Sequence, residues 1–171
     1  MAKSTSNTDL SLRRLIPGDA RLYRDIRLES LLDSPEAYGS AHDTEAAHNL
    51  DWFAERLTTS NVVGGFLGDA LAGIAGFGTQ SGVKNQHKGY LWGAYVRPEA
   101  RGQGVGRRLC EEILSLGHGR VEQIQLTVTS DNVAARRLYE SLGFAAWGIE
   151  PRARRIDGRY VDDVHMVRHL N

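Results

Sequence analysis

Six consecutive residues constrain this chain most: Arg101-Gly102-Gln103-Gly104-Val105-Gly106. An apolar run from Gly89 to Val96 precedes them, and an amphipathic run ending near Leu116 follows. The pattern predicts a strand, a glycine-rich turn and a helix start, in that order. The first amides of a helix have no partner inside it, and the helix dipole is positive at that end. Glycines let the main chain approach a phosphate closely, because no Cβ intervenes. Such a turn is an anion site suited to the pyrophosphate of a cofactor.

Missing residues narrow the choice of cofactor. A P-loop requires a lysine and a hydroxyl after its last glycine. Here Gly106 is followed by Arg107 and Arg108. A dinucleotide fingerprint counted from Gly102 meets Arg107 where its third glycine should stand. The spacing that does fit is Arg/Gln-x-x-Gly-x-Gly, with Arg101, Gly104 and Gly106 at its fixed positions.

Periodicity orders the rest of the chain. Leu10 to Ile16 reads as a strand, closed by Pro17-Gly18-Asp19, and Ala20 to Leu32 as a helix ended by Asp33-Ser34-Pro35. Glu36 to Asn49 is polar with weak periodicity, and Asn49 to Leu57 reads as a second helix. Val62–Leu67 and Leu71–Phe77 are strands joined at Gly68-Asp69-Ala70. Tyr90 to Val96 is apolar on both faces, as a central strand should be, and Gly93 inside it signals a bulge or a close backbone neighbour. Val105, Leu109, Ile113 and Leu116 form one helical stripe. Glu122 to Thr129 alternates as a strand, and the stripe Ala135, Leu138, Tyr139, Leu142 predicts a helix closed by Gly143. Phe144–Pro151 and Tyr160–Leu170 are the last strands, joined through Asp157-Gly158. The expected order is β-α-α-β-β-β-α-β-α-β-β, an α/β layer with a mixed sheet.

A second motif follows the first. Asn132-x-x-Ala135-x-x-Leu138-Tyr139-x-x-x-Gly143-Phe144, one helix and one strand downstream of the glycine turn, resembles the companion segment of the GNAT superfamily of N-acyltransferases. The Arg101-x-x-Gly104-x-Gly106 spacing resembles that superfamily's acyl-CoA signature. Leu28–Ser34, Pro35–Ser40 and the closing Ile156-Asp157-Gly158-Arg159-Tyr160 with Asp162, Asp163 and Met166 are similar to other parts of it, so the resemblance covers roughly residues 10 to 169. It implies a mostly antiparallel central sheet flanked by helices, with a splayed strand pair for the cofactor. It also implies acetyl-CoA as cosubstrate, no metal, and direct transfer of acetyl to a primary amine.

The implied site can be placed residue by residue. Main-chain amides of Arg101, Gly102, Gln103, Gly104, Val105, Gly106 and Arg107 would hold the pyrophosphate. The backbone of Tyr95 and Val96 would pair with the pantetheine arm, and Asn132 would hydrogen-bond it, with Ala135 beside it. Tyr139 would protonate the leaving sulfur, a role that a phenol of ordinary pKa ~10 can fill toward a thiolate of ~8.5. A small-molecule amine is the default acceptor. A protein N-terminus or lysine, or a non-catalytic acyl-CoA-binding module of the same fold, are the alternatives. The family also makes a homodimer an expectation.

A base for the incoming amine is not evident. The run Tyr90 to Val96 contains no carboxylate. His87, Glu29, Asp43 and Glu45 are candidates from loops or the first helix, each also readable as a solvated surface residue. An amine already neutral in part, or a water path, is the alternative. His165 and His169 are four apart on an expected strand, roughly 13 Å at ~3.3 Å per residue, too far to share a metal. Arg152, Arg154, Arg155 and Arg159 make a basic hairpin, read either as a charged exposed ribbon or as an acceptor-pocket wall favouring an anionic group.

Composition adds boundaries. At 171 residues the chain suits a single domain from residue 9 to 171 behind a disordered polar tail at 1–8. Zero formal net charge gives no global field for nucleic acid or a membrane surface. No apolar run approaches the ~20 residues of a membrane span. The polar start lacks a signal peptide's apolar segment. Cys110 is the only cysteine, so no intrachain disulfide can form and a cytoplasmic location is expected.

Overall fold

Among the described residues, seven strands form one sheet in the order β1-β2-β3-β4-β5-β7-β6. The structure is a computed structural model that describes residues 9–170. The tail expected at 1–8 lies outside the described residues. The strands are β1 (Leu10–Arg14), β2 (Asn61–Leu67), β3 (Ala70–Thr79), β4 (Lys88–Val96), β5 (Gln123–Thr129), β6 (Ala145–Ile156) and β7 (Arg159–His169). The helices are α1 (Ala20–Asp33), α2 (His42–Ala46), α3 (Leu50–Thr59), α4 (Val105–Gly117) and α5 (Val133–Ser141). Neighbouring strands are antiparallel except β4 and β5, which run parallel across the α4 crossover. The expected mixed, mostly antiparallel sheet is therefore present. Among the described residues no helix is long and apolar enough to cross a membrane.

Two corrections concern element boundaries. The short helix α2 lies in the stretch without periodicity. Its one buried residue is Glu45, so no apolar stripe marks it. Strand β6 does not stop at Pro151 but continues to Ile156. Its register shifts between Glu150 and Arg154, and Arg152 takes φ 54°. That bulge on an edge strand accommodates a proline that has no amide to donate.

Helices cover both faces. Val105, Leu109 and Ile113 of α4 pack with Leu126, Tyr139 and Met166 on one side. Tyr23 and Ile26 of α1 and Phe53 and Leu57 of α3 pack with Val62, Phe66 and Tyr95 on the other. Glycines in β3 let β4 aromatics lie across it: a Cβ on Gly76 would stand 2.2 Å from the Trp92 ring, and one on Gly78 2.3 Å from Tyr90.

The functional consequence lies at the centre of the sheet. β4 and β5 pair only at Lys88↔Gln123, Gly89↔Ile124 and Tyr90↔Gln125. Beyond those rungs they part. Gly93 sits at φ 61°, and the β3–β4 register shifts between Ile74 and Gly76 opposite it. This is the bulge expected at that glycine, and it leaves one edge of β4 without a neighbour.

Candidate active site

The glycine turn opens α4 with its amides unpaired. Gly102 and Gly104 have φ 76° and 81°, values that favour glycine. Gly104 is the N-cap and no side chain caps the helix. The first backbone bond that closes it runs from the Arg108 amide to the Gly104 carbonyl, 3.1 Å. A Cβ on Gly102 or Gly104 would meet nothing within 4 Å, so the turn faces open space. Arg101 differs from its expectation. Its amide already donates to the Pro98 carbonyl at 3.3 Å. Its side chain turns back, donating to Asp33 at 2.6 Å and to the Val96 carbonyl at 3.1 Å. The free donors thus start at Gly102. Gln103 also turns its side chain away, onto the Glu99 carbonyl.

A cleft of about 710 Å³ runs from this turn. Val96, Gly104, Gly106, Asn132, Ala135 and Tyr139 are among its walls. Along β4 the main-chain groups alternate in direction. The Arg97 amide donates to Ala72 of β3, and the Tyr95 carbonyl lies near Gly73. Antiparallel alternation then turns Ala94 and Val96 toward the gap. The Ala94 carbonyl accepts from the Tyr38 hydroxyl at 3.0 Å, in agreement. Of the two backbone residues expected to face the arm, Val96 does so and Tyr95 faces β3. Tyr95 instead sends its ring to the α1 side, where its hydroxyl donates to Glu29 at 3.2 Å.

Asn132 caps α5, its Oδ1 accepting from the Ala135 amide at 3.1 Å. Its side-chain amide oxygen is therefore engaged, leaving the NH₂ group for other partners. Tyr139 is 8% exposed and stands edge-on to Phe144 at 5.9 Å. Burial, then the nearby Cys110 and Tyr38, pushes its phenol above the ordinary range, so it stays protonated at working pH.

Cys110 borders the same cleft. Burial, then Glu111, pushes its thiol up to about 12. At pH 8 such a thiol is thiolate in about one part in 10⁴, so it is no nucleophile. Native protein treated with iodoacetamide at pH 8 is expected to keep Cys110 unmodified, and urea-unfolded protein to lose it, by mass spectrometry. Rapid native labelling would refute that burial.

A second cavity of about 460 Å³ is lined by Tyr90 to Gly93 of β4 and by Gln125 to Thr127 of β5. Tyr38 and Ala37 line both cavities. Sequence reasoning gave Tyr38 no role, although Pro35–Ser40 was part of the resemblance. The segment is tied down from three sides: Thr129 and Arg154 both donate to the Glu36 carbonyl, at 3.1 and 3.0 Å, and Tyr38 reaches Ala94. None of the four base candidates lines either cavity. Glu45 is paired with Arg27, Glu29 with Arg97, and Asp43 with His42. His165 does line the second cavity, between Thr127 and Glu150, each at 3.2 Å. It stands four residues from His169 on β7, and no metal-holding cluster occurs among the described residues.

The basic hairpin divides. Arg152 and Arg155 lie over the Tyr160 ring, while Arg154 turns inward to Asp163 and borders the second cavity.

Comparison with known proteins places these observations. The model of the acetyltransferase (GNAT) family matches residues 24–144. The chain is 30% identical over 154 residues to the mycothiol acetyltransferase of Thermobispora bispora, covering 84% of this chain and 49% of that protein. It is 35% identical over 99 residues to N-alpha-acetyltransferase RimI of Mycobacterium tuberculosis, covering 58% of this chain and 61% of that one. The chain thus spans about half of the first relative and under two thirds of the second. Its fold matches a GNAT-family acetyltransferase from Streptococcus pneumoniae with a TM-score of 0.87 at 23% identity, over 95% of this chain and 100% of that one.

Proposed function

Because this chain belongs to the acetyltransferase (GNAT) family, we propose that it moves an acetyl group from acetyl-CoA directly to a primary amine of a small molecule. One observation carries the reading: unpaired amides at Gly102 to Arg107 open onto a cleft that leads past the free edge of β4 to Tyr139. The open faces of Gly102 and Gly104 fit a diphosphate, since a Cβ there would fill the space it needs. Acetyl-CoA supplies an activated thioester.

The residues then divide the work. Amides of the turn hold the diphosphate. Ala94 presents main-chain groups to the pantetheine arm, as one strand does to another, the Val96 carbonyl keeps a lone pair for it beside Arg101, and the Asn132 NH₂ adds a further donor. A Val96 amide also stabilises the negative charge that develops on the acetyl oxygen, as fixed donors do. The amine enters from the second cavity and its nitrogen bonds to the acetyl carbon as the carbon–sulfur bond breaks. Tyr139 gives its proton toward the departing sulfur. The proton lost by the amine leaves through the second cavity, where His165 or water accepts it. The similarity to RimI supports a protein N-terminus as second acceptor class.

Thermal shift tests the binding step. At 100 times its Kd a ligand stabilises by ~2.7 kcal/mol, a rise of roughly 5–10 °C for a chain of this size. Acetyl-CoA is expected to give that rise, and ATP and NADH none. Gly104→Glu is expected to weaken acetyl-CoA binding at least about 100-fold, because an anion would occupy the phosphate position. Gly104→Ala, which shares the backbone strain but not the charge, separates the two effects. Equal affinities of wild type and Gly104→Glu would refute the assignment of the turn. Thiol release across an amine panel separates an enzyme from a binding module.

A further inference from the structure

We propose that the second cavity recognises the carboxylate of its acceptor, through Arg56 and the free Nη1 of Arg27, so that the substrate is a small amino acid-like amine. The proposal rests on the acetyl-transfer reading above and names the acceptor class for that site.

The cavity is lined by cations whose anionic partners, where they have them, stand outside its walls. Arg27, Arg56 and Arg154 line it, and no carboxylate does. Arg154 is satisfied by Asp163 and the Glu36 carbonyl. Arg27 is only 5% exposed; Glu45 takes its Nε at 2.9 Å and its Nη2 at 2.7 Å. No acceptor among the described residues engages Nη1, which points toward the bulge, 3.8 Å from where a Gly93 Cβ would stand. Among the described residues Arg56 has no carboxylate partner of its own. Its guanidinium lies over the Trp52 ring at 4.7 Å and the Trp92 ring at 5.9 Å, with Nε buried and without an acceptor. Glu45 feels both the Arg27 and the Arg56 charges, so one carboxylate stands against two guanidinium groups.

The donors open to the cavity without a partner are the terminal nitrogens of Arg56 and Arg27 Nη1, and a planar guanidinium fits a carboxylate in two parallel bonds. A ligand carboxylate would satisfy Arg56 and Nη1 together. The position of Nη1 also sets how far the amine stands from that carboxylate. Nη1 opens at Gly93, one residue before Ala94, whose main chain faces the thioester cleft. An α-amino acid keeps its nitrogen two bonds from the carboxylate carbon, a reach that matches this short step. The cavity's volume lies within the usual range for small-ligand sites. Its aromatic walls, Trp92 and Trp147, suit an apolar side chain.

Matched acceptors test this. Thiol release is measured for L-alanine, L-methionine and L-phenylalanine, each beside its amide and its decarboxylated amine. The free acids are expected to give kcat/KM at least about tenfold above their partners. Arg56→Met is expected to raise KM for the acids about ten- to hundredfold, with the amides changed less than about threefold. Arg56→Lys, which keeps the charge, is expected to retain part of the preference. Tryptophan fluorescence of the CoA-saturated protein, titrated with the same acids and amides, reads binding without turnover. Equal response to acid and amide, or an Arg56→Met loss shared by both, overturns the proposal and leaves acetyl transfer standing. Absence of an acetyl-CoA thermal shift strikes the acetyl-transfer reading instead, and the titration still decides the carboxylate site.

Discussion

Replacing Tyr139 by phenylalanine is expected to lower kcat by roughly 10²- to 10⁴-fold, the range that general acids contribute, while leaving the affinity for acetyl-CoA within about twofold. The two halves follow from one geometry. The ring is held by the core of the α4–α5 side, edge-on to Phe144, so phenylalanine keeps the packing. Only the hydroxyl is lost, and that group matters when the sulfur departs. The raised phenol pKa makes a further expectation. Burial disfavours the phenolate, so the folded pKa lies above the ordinary ~10 and the acid form is present throughout the neutral and mildly alkaline range. The rate should therefore show no fall between pH 7 and 9 that disappears in Tyr139→Phe. Single-turnover thiol release across that range checks both. An unchanged kcat for a good acceptor would assign the proton to water instead.

Glu45→Gln is expected to destabilise the fold by about 3–5 kcal/mol, the usual consequence of stranding one member of a buried ion pair. Glu45 and Arg27 are 4% and 5% exposed and meet through two hydrogen bonds. Without the carboxylate, the Arg27 charge remains largely buried and loses its partner. At 2–4 °C per kcal/mol the melting temperature should fall on the order of 10 °C. Replacing both partners, as Arg27→Met with Glu45→Gln, should recover part of that loss, because no charge is then left buried. The pH dependence has a definite sign. Burial by itself would raise the Glu45 carboxyl, but the hydrogen bonds and charge of Arg27 outweigh it and the net shift is downward. A depressed folded pKa contributes stability that is fully present above the unfolded value of ~4.3 and is lost as pH falls through the folded value. Urea titrations of wild type and Glu45→Gln should therefore differ most at pH 6–7, with a gap that narrows as pH falls below the unfolded value of ~4.3. A gap that stayed constant down to the acid unfolding transition would show that the loss is steric.

The pair also marks a limit of sequence reading. Helix α2 exists largely to deliver Glu45 to Arg27, and ionic docking has no periodicity. A scan for apolar stripes passes over it. Glu45 was accordingly read as a candidate base on the surface, although its carboxylate is committed to a guanidinium. Tyr38 escaped for a related reason. Its importance comes from reaching Ala94, 56 residues away, across a gap that no local pattern reveals. His165 could be read as a strand residue, but its place in the second cavity depends on β7 lying between β5 and β6.

Arg101 shows how a correct motif can carry a detail wrongly. Its place in the signature was legible, and so was the turn. That its amide and side chain are both spent on Pro98, Val96 and Asp33 was not, because those bonds depend on where α1 ends. The choice between Tyr95 and Val96 was equally hidden. Two adjacent strand residues cannot both face the gap, and only the pairing with β3 decides which one does.

The residues alone determined what is local: the alternating strands, the helical stripes, the glycine turn and the helix start whose amides lie open. These follow from backbone geometry within a few residues, and the two ordered motifs were enough to recognise the family. The tertiary structure decided what depends on distance across the chain: how far β4 and β5 stay paired, which buried charges find partners, and where Tyr38 and Arg27 meet the opening between them. The physical reason is that pairing and burial are satisfied between elements. The partner that completes a donor, or leaves it free, is not written next to it.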